Sequence, residues 1–375
     1  MNNKMGLNLI AEIMGWDDAD GVATREYGWL KLMSAVKYDD YTDFRAGVRF
    51  IESLAFWLQQ FPPEKRQAAY DFVKTRLIYI SPAELQCLIE AFVPEIVTPA
   101  IRKIVAEEQG VKAYEVWRSP ESAARFRQRL RRTLFVGLSD GSRIDIMRRA
   151  NSGRVSTEQV LPMLHVDEDK WGDLDDNLIS DLGAGAKFDS VYLIDDFTAS
   201  GTTFIRQKGG VWKGKLARFN KIVKDAAEAL GDRFPIAPGY ALNVHHYVSS
   251  YQAKQTLEER LAAANQDWSD KTFGSVRATE GLLLPARAML AQPDDADMLG
   301  LCEDFYDHEV FKRYERHCRE AGQTDMKLGY AQCALPVVMS HNTPNNSVPL
   351  IWAETTGKDG AHAMRPLFRR RDRHG

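Results

Sequence analysis

Two carboxylates stand side by side in VYLIDDFTASGTTF, residues 191–204, followed by small hydroxylated residues and one glycine. Val191–Ile194 is short, apolar and rich in β-formers, which predicts a buried strand ending at Asp195 and Asp196. In open α/β sheets ligands sit beyond the carboxyl ends of the strands, where these acids would be delivered. Ala199, Ser200, Gly201, Thr202 and Thr203 add consecutive amides and hydroxyls, the donors that wrap a phosphate. Carboxylates suit hydroxyl groups or a metal ion and amides suit phosphate, so a sugar phosphate or nucleotide matches both halves. Ordinary capped turns use the same residue types; the length of the run is what makes it specific.

A second segment, LFVGLSDGSRIDIMRRA at residues 134–150, reads as strand, turn and helix. Leu134–Leu138 predicts the strand and Ser139-Asp140-Gly141-Ser142 the turn, with the helix starting at Arg143. Gly141 permits close backbone approach, and Arg143 brings a fork of donors that fits an oxyanion.

VYLIDDFTASGTT resembles the signature of the type I phosphoribosyltransferases. The resemblance implies that Asp195 and Asp196 hold the ribose hydroxyls of phosphoribosyl pyrophosphate (PRPP), with Mg2+ beside them, while Ala199–Thr203 cradles the 5′-phosphate. It also implies that the Ser139–Ser142 turn and Arg143 meet the pyrophosphate. Asp195, Asp196 and Arg143 are then the residues expected to act at the anomeric carbon. One departure matters: purine-type enzymes carry an acid where this chain has Ala199, and an alanine cannot move a proton. Orotate-type relatives also lack that acid, so transfer is not excluded.

A longer likeness lies in HNTPNN, residues 341–346, ahead of an apolar stretch and Trp352, and in YIS at Tyr79–Ser81. These resemble the phosphoribosyltransferase-like proteins of prokaryotic conflict systems. That branch implies an effector of antiphage defence held in check by a protein partner, with Asn342 and Asn345 reading a base or sugar. Two other readings stay open: a non-catalytic sensor of a phosphorylated ribose, which Ala199 favours, and an assembly subunit that contacts a partner or nucleic acid.

The elements that must position these residues follow from periodicity. Residues 1–130 read as helical: FRAGVRFIESLAFWLQQF repeats apolar residues at three and four spacing, Pro62-Pro63 interrupts it, and Ser81-Pro82-Ala83-Glu84 caps a further helix. Residues 131–375 read as strands alternating with helices, with further strands at Gln159–Leu164 and Tyr240–Tyr247. The expected fold is therefore α/β, a mostly parallel sheet flanked by helices, preceded by an all-helical N-terminal domain. Asp167–Asp176 is expected to be a solvated acidic loop. Arg206–Lys224 holds seven basic residues and no acid, with Gly209, Gly210 and Gly214 in its first half. It predicts a mobile basic lid over pyrophosphate or a grip on nucleic acid with Trp212 stacked on a base, running from Lys215 into an exposed helix face. His245-His246 in a strand would point one ring to each face; no partner at ligand spacing supports zinc.

Composition narrows the class. The chain has 375 residues and a net charge of −3, which excludes a global basic field for nucleic acid. Its four cysteines form no CxxC pair, the N-terminus has no cleavage pattern, and no apolar run is long enough to span a bilayer. A soluble cytoplasmic protein is the expectation.

Overall fold

The computed structural model describes residues 2–164 and 166–370. It divides into two compact units, one formed by Met1–Glu84 with Pro285–Gly375 and the other by Leu85–Leu284. The change of periodicity near residue 130 is not where this division falls, because periodicity is a local signal and cannot show which distant segment completes a core.

In the first unit the helices Phe50–Gln59 and Pro63–Thr75 bury Phe50, Leu54, Trp57, Leu58, Tyr70 and Val73, the apolar stripe that their spacing predicts. That stripe packs against Leu350, Ile351 and Phe368 from the C-terminal part of the chain. The Trp57 indole donates to the Leu350 carbonyl at 2.6 Å. The N-terminal region is helical apart from one short strand, β1 (Ile78–Ile80), which pairs in parallel with the last strand of the chain, β9 (Val337–Met339). Ser81 and Glu84 form the expected reciprocal cap: the Ser81 amide donates to the Glu84 carboxylate at 2.8 Å, and the Glu84 amide to the Ser81 hydroxyl at 3.2 Å.

The second unit is built on five parallel strands: β2 (Thr133–Gly137), β3 (Val160–Leu161), β4 (Phe188–Thr198), β7 (Ile236–Ser250) and β8 (Ser275–Leu284). Their spatial order is β3-β2-β4-β7-β8. The chain first winds from β2 outward to β3, then crosses to β4 on the other side. The order of winding therefore reverses between β2 and β4, a topological switch point of the kind where doubly wound sheets bind ligands. One face of the sheet packs Leu134, Val136, Val191, Leu193, Leu242 and Val244 against helical Trp171, Leu174, Phe219 and Leu257. On the other face Phe92 packs against Phe135, Tyr192, His245 and Tyr247.

Two local expectations change. Asp167–Asp176 is not a loop but the start of the helix Glu168–Leu182, with the Asp167 side chain accepting from the Lys170 amide at 2.8 Å. Acids in a first turn complement the helix dipole, and Trp171, Leu174 and Leu178 bury one face. Arg206–Lys224 likewise begins as an ordered hairpin, β5 (Arg206–Lys208) against β6 (Val211–Lys213). Gly209 and Gly210 both have positive φ, at 58° and 77°, as a two-residue hairpin turn requires.

Candidate functional site

β2 is paired with β4 up to Gly137 and Ile194, and β4 then continues beside β7 alone as far as Thr198. Asp195 and Asp196 stand on this extension, so the strand runs through the carboxylates rather than stopping before them. Alternation along a strand sends the two side chains to opposite faces. The Ser139–Ser142 turn leaves the end of β2 and reaches both. The Ser139 hydroxyl donates to Asp195 Oδ1 at 2.6 Å. Gly141 lies so close to the other acid that a Cβ built there would stand 2.4 Å from Asp196 Oδ2. Gly137 has a similar duty below the turn, where a Cβ would meet the Pro162 carbonyl oxygen at 2.4 Å.

The sequence reasoning missed Lys215. Its basic run predicts an exposed helix face from Lys215 onward, yet its ammonium donates to Asp195 Oδ2 from the first turn of the helix Lys215–Leu230. A cation at a helix N-terminus opposes the dipole, and that misplacement was the available signal. Asp195 is only 4% exposed. Burial pushes its carboxyl above the ordinary carboxylate range; Lys215 and the Ser139 hydroxyl pull it back, and neighbouring Asp196 adds to the rise. Asp196 is half-buried, and its Oδ1 accepts from the Phe197 amide at 2.9 Å.

Downstream, Ala199–Thr203 forms a tight turn at the end of β4. Gly201 has φ +69° and packs on the helix Tyr251–Asp267, where a Cβ would lie 3.3 Å from the Ala253 carbonyl oxygen. Ser200 and Thr202 share a hydroxyl hydrogen bond of 2.7 Å, and Thr203 is exposed. Ala199 is buried, so no titratable side chain occupies its position. The backbone that follows folds back: the Lys215 amide donates to the Thr203 carbonyl at 3.2 Å and the Leu216 amide to the Phe204 carbonyl at 3.1 Å. Gly214 permits this approach, since a Cβ there would sit 2.4 Å from the Phe204 oxygen. Trp212 stacks on Trp268 at 5.6 Å and 16°, so in this conformation one ring face is already covered.

The structure thus brings Ser139, Gly141, Asp195, Asp196 and Lys215 together, with Ser142 buried behind them and Asp140 exposed at the turn. Arg143 follows in a left-handed conformation (φ 43°, ψ 38°), unusual for a residue with a side chain. Asn342 and Asn345 lie in the other compact unit. There Asn342 exchanges backbone hydrogen bonds with Met339, and the Asn345 carbonyl accepts from the Tyr330 amide at 2.8 Å. Among the described residues no three His, Cys, Asp or Glu side chains converge as a metal cage. Both Asp195 oxygens already accept hydrogen bonds, so Asp195 does not fit a divalent cation as it stands. Asp196 fits better as a single carboxylate donor, the kind of site in which Mg2+ takes its remaining ligands from water and substrate phosphates.

A family model described as PRTase-CE matches residues 54–370. The chain belongs to the PRTase-CE family. That family is of the phosphoribosyltransferase type, and the match runs through both compact units of this PRTase-CE protein. No curated protein and no solved structure matches it. No helix among the described residues is long and apolar enough to cross a membrane.

His245 and His246 flank the acids on β7, with His246 in register with Asp195. The His245 ring lies 4.3 Å from Phe92, with Nδ1 3.0 Å from the Thr279 hydroxyl; His246 meets the Phe204 ring edge-on at 5.9 Å. Burial is the main cause holding both imidazoles neutral, with values lowered to about 3; like charge adds to it, from His246 on His245 and from Lys215 on His246. An unfolded chain binds these protons from about pH 6.5 downward, so the folded state is stabilised above that pH and loses the stabilisation as pH falls. Between pH 7 and pH 5 the two rings together should remove about 4 kcal/mol. Urea denaturation at the two pH values checks this, and a His245→Gln variant should show a shallower dependence. Equal stability at both pH values would mean the rings are accessible.

Proposed function

We propose that the crevice at the carboxyl ends of β2 and β4 binds a 5′-phosphorylated ribose, PRPP or a related nucleotide, and acts at its anomeric carbon. The observation that carries this reading is the turn at Ser139–Ser142. From the switch point of the sheet it touches Asp195 through Ser139 and comes against Asp196 through Gly141. Asp196, and Asp195 once the Ser139 hydroxyl gives up its Oδ1, would accept from the ribose hydroxyls, and the Ala199–Thr203 turn would hold the 5′-phosphate with its amides and the Thr202 and Thr203 hydroxyls. Arg143 would meet the pyrophosphate. In the reaction the C1–O bond to pyrophosphate breaks with its electron pair leaving on the phosphate oxygen, and an acceptor lone pair forms the new bond at C1. Mg2+, held by the ligand's phosphates and Asp196, would neutralise the charge that develops on the leaving group. On the likeness carried by HNTPNN and YIS, the biological role is that of an antiphage effector restrained by a partner. A sensor reading is favoured by Ala199 alone, which leaves no acid to serve an acceptor base.

Mass spectrometry of purified protein with PRPP, Mg2+ and a panel of nucleobases and nucleotides separates these readings. The expected result is pyrophosphate release and a new glycosyl bond, both lost in Asp196→Ala. Saturable binding without turnover would favour the sensor, and neither binding nor turnover would remove the reading altogether.

A further inference from the structure

The helix Pro120–Arg131 and the residue after it are crowded with arginines, and most are matched by acids. Arg125 and Arg129 meet Glu108, Arg129 and Arg132 meet Asp189, and Arg131 gives its Nε to Asp181 at 2.6 Å. Arg127 has no such partner among the described residues, and neither does Arg154. Arg131 is only partly satisfied: its side chain is 11% exposed, and Nη1 and Nη2 are buried without a hydrogen-bond acceptor. Buried donors left unmatched lose their hydration with no return. Two adjacent guanidinium donors are satisfied best by the paired oxygens of a phosphate or carboxylate.

All three of these arginines line one cavity of about 560 Å³, within the usual range for small-molecule sites. The rest of its wall is largely apolar. Trp117, 50% exposed, stands edge-on to Phe126 with centroids 4.6 Å apart, and Leu130 lies on the same lining. A half-exposed indole beside arginines suits a planar ring that carries negative charge. The cavity is remote from the crevice in topological terms. Arg131 stands two residues before β2, and Ser156 and Gln159, also on the lining, lead into β3. In a parallel sheet these are the amino ends of the strands, opposite to the carboxyl ends that bear Asp195 and Asp196. The Gln159 amide donates to the Leu130 and Thr133 carbonyls, both at 2.9 Å, and fixes this edge.

We infer that this cavity is a second ligand site, taking an aromatic ring that bears an oxyanion, with Arg127, Arg131 and Arg154 on the anion and Trp117 on the ring. β2 leads from this end of the sheet to the Ser139–Arg143 turn, and the helix Ile144–Ala150 leads from that turn toward Gly153 and Arg154 on the cavity lining.

Fluorescence or calorimetric titration of the full chain with AMP, benzoate, adenosine and inorganic phosphate tests the inference. AMP, benzoate or both should bind saturably, and adenosine and phosphate should bind at least tenfold more weakly. Stronger binding of AMP identifies a nucleotide as the source of the oxyanion; stronger binding of benzoate identifies an aromatic acid. Trp117→Ala and Arg154→Gln change exposed residues and should each weaken the bound probe about tenfold or more. The titrations are made in the Asp196→Ala background, which disables the crevice, so that AMP held there is not counted and the outcome stays separate from the fate of the ribose-phosphate reading. No saturable binding of AMP or benzoate at millimolar concentration would overturn the inference. So would binding that is insensitive to both cavity variants.

Discussion

Lys215→Met should destabilise the protein by about 3 kcal/mol and abolish ribose-phosphate binding. The substitution keeps the length and most of the volume of the side chain but removes the charge that compensates Asp195. Breaking a buried ion pair from one side typically costs 3–5 kcal/mol, because the remaining charge stays desolvated. Lys215 is 27% exposed, which places the expectation at the lower end. The double variant Lys215→Met/Asp195→Asn should recover most of the stability, since a neutral amide no longer needs the ammonium, but it should not recover binding. Urea denaturation of the single and double variants gives the coupling energy. A loss below about 1 kcal/mol in Lys215→Met would mean that water already screens the pair.

Gly141→Val should separate function from folding in the opposite way. The nearest atoms a Cβ at this position would meet belong to Asp196, 2.4 Å from Oδ2 and 2.7 Å from Cγ, and a carboxylate tip can swing aside. The fold should therefore tolerate the change within about 1 kcal/mol. The crevice should not, because the displaced acid and the added bulk occupy the place where ligand is held. We expect at least a tenfold loss of ribose-phosphate affinity, about 1.4 kcal/mol or more, read by thermal shift and titration. Unchanged affinity in a folded Gly141→Val protein would make the turn a mere connection.

How far the sequence revealed this arrangement depended on whether the signal was local. The alternation of apolar strands with helices is local, and it yielded the parallel sheet; the strand–acid–glycine run at residues 191–204 yielded the family type. Strand ends were less legible. Asp195 and Asp196 looked like terminators because charge usually leaves a sheet, but here Ser139 and Lys215 compensate one acid and allow β4 to continue. Glycines carry more than one meaning for a related reason. Gly209 and Gly210 looked like flexibility, whereas both supply the positive φ of a hairpin turn, and Gly214 admits the Phe204 carbonyl. Lys215 was hidden among seven basic residues whose later members do face solvent, with Lys221 on Asp225 and Lys224 on Asp270. Only the fold could show which of them turns inward. The pairing of β1 with β9 was beyond any local pattern, since the two strands lie more than 250 residues apart in sequence.

The crevice at the switch point is expected to hold a phosphorylated ribose through its paired acids. Calorimetric titration of PRPP with Mg2+ into the intact protein and into Asp196→Ala tests it most directly. The expected result is saturable binding to one site per chain, an affinity that falls when Mg2+ is chelated, and loss of the signal in a folded Asp196→Ala variant. PRPP heats that are absent from the wild type, or equal in wild type and variant, would contradict it.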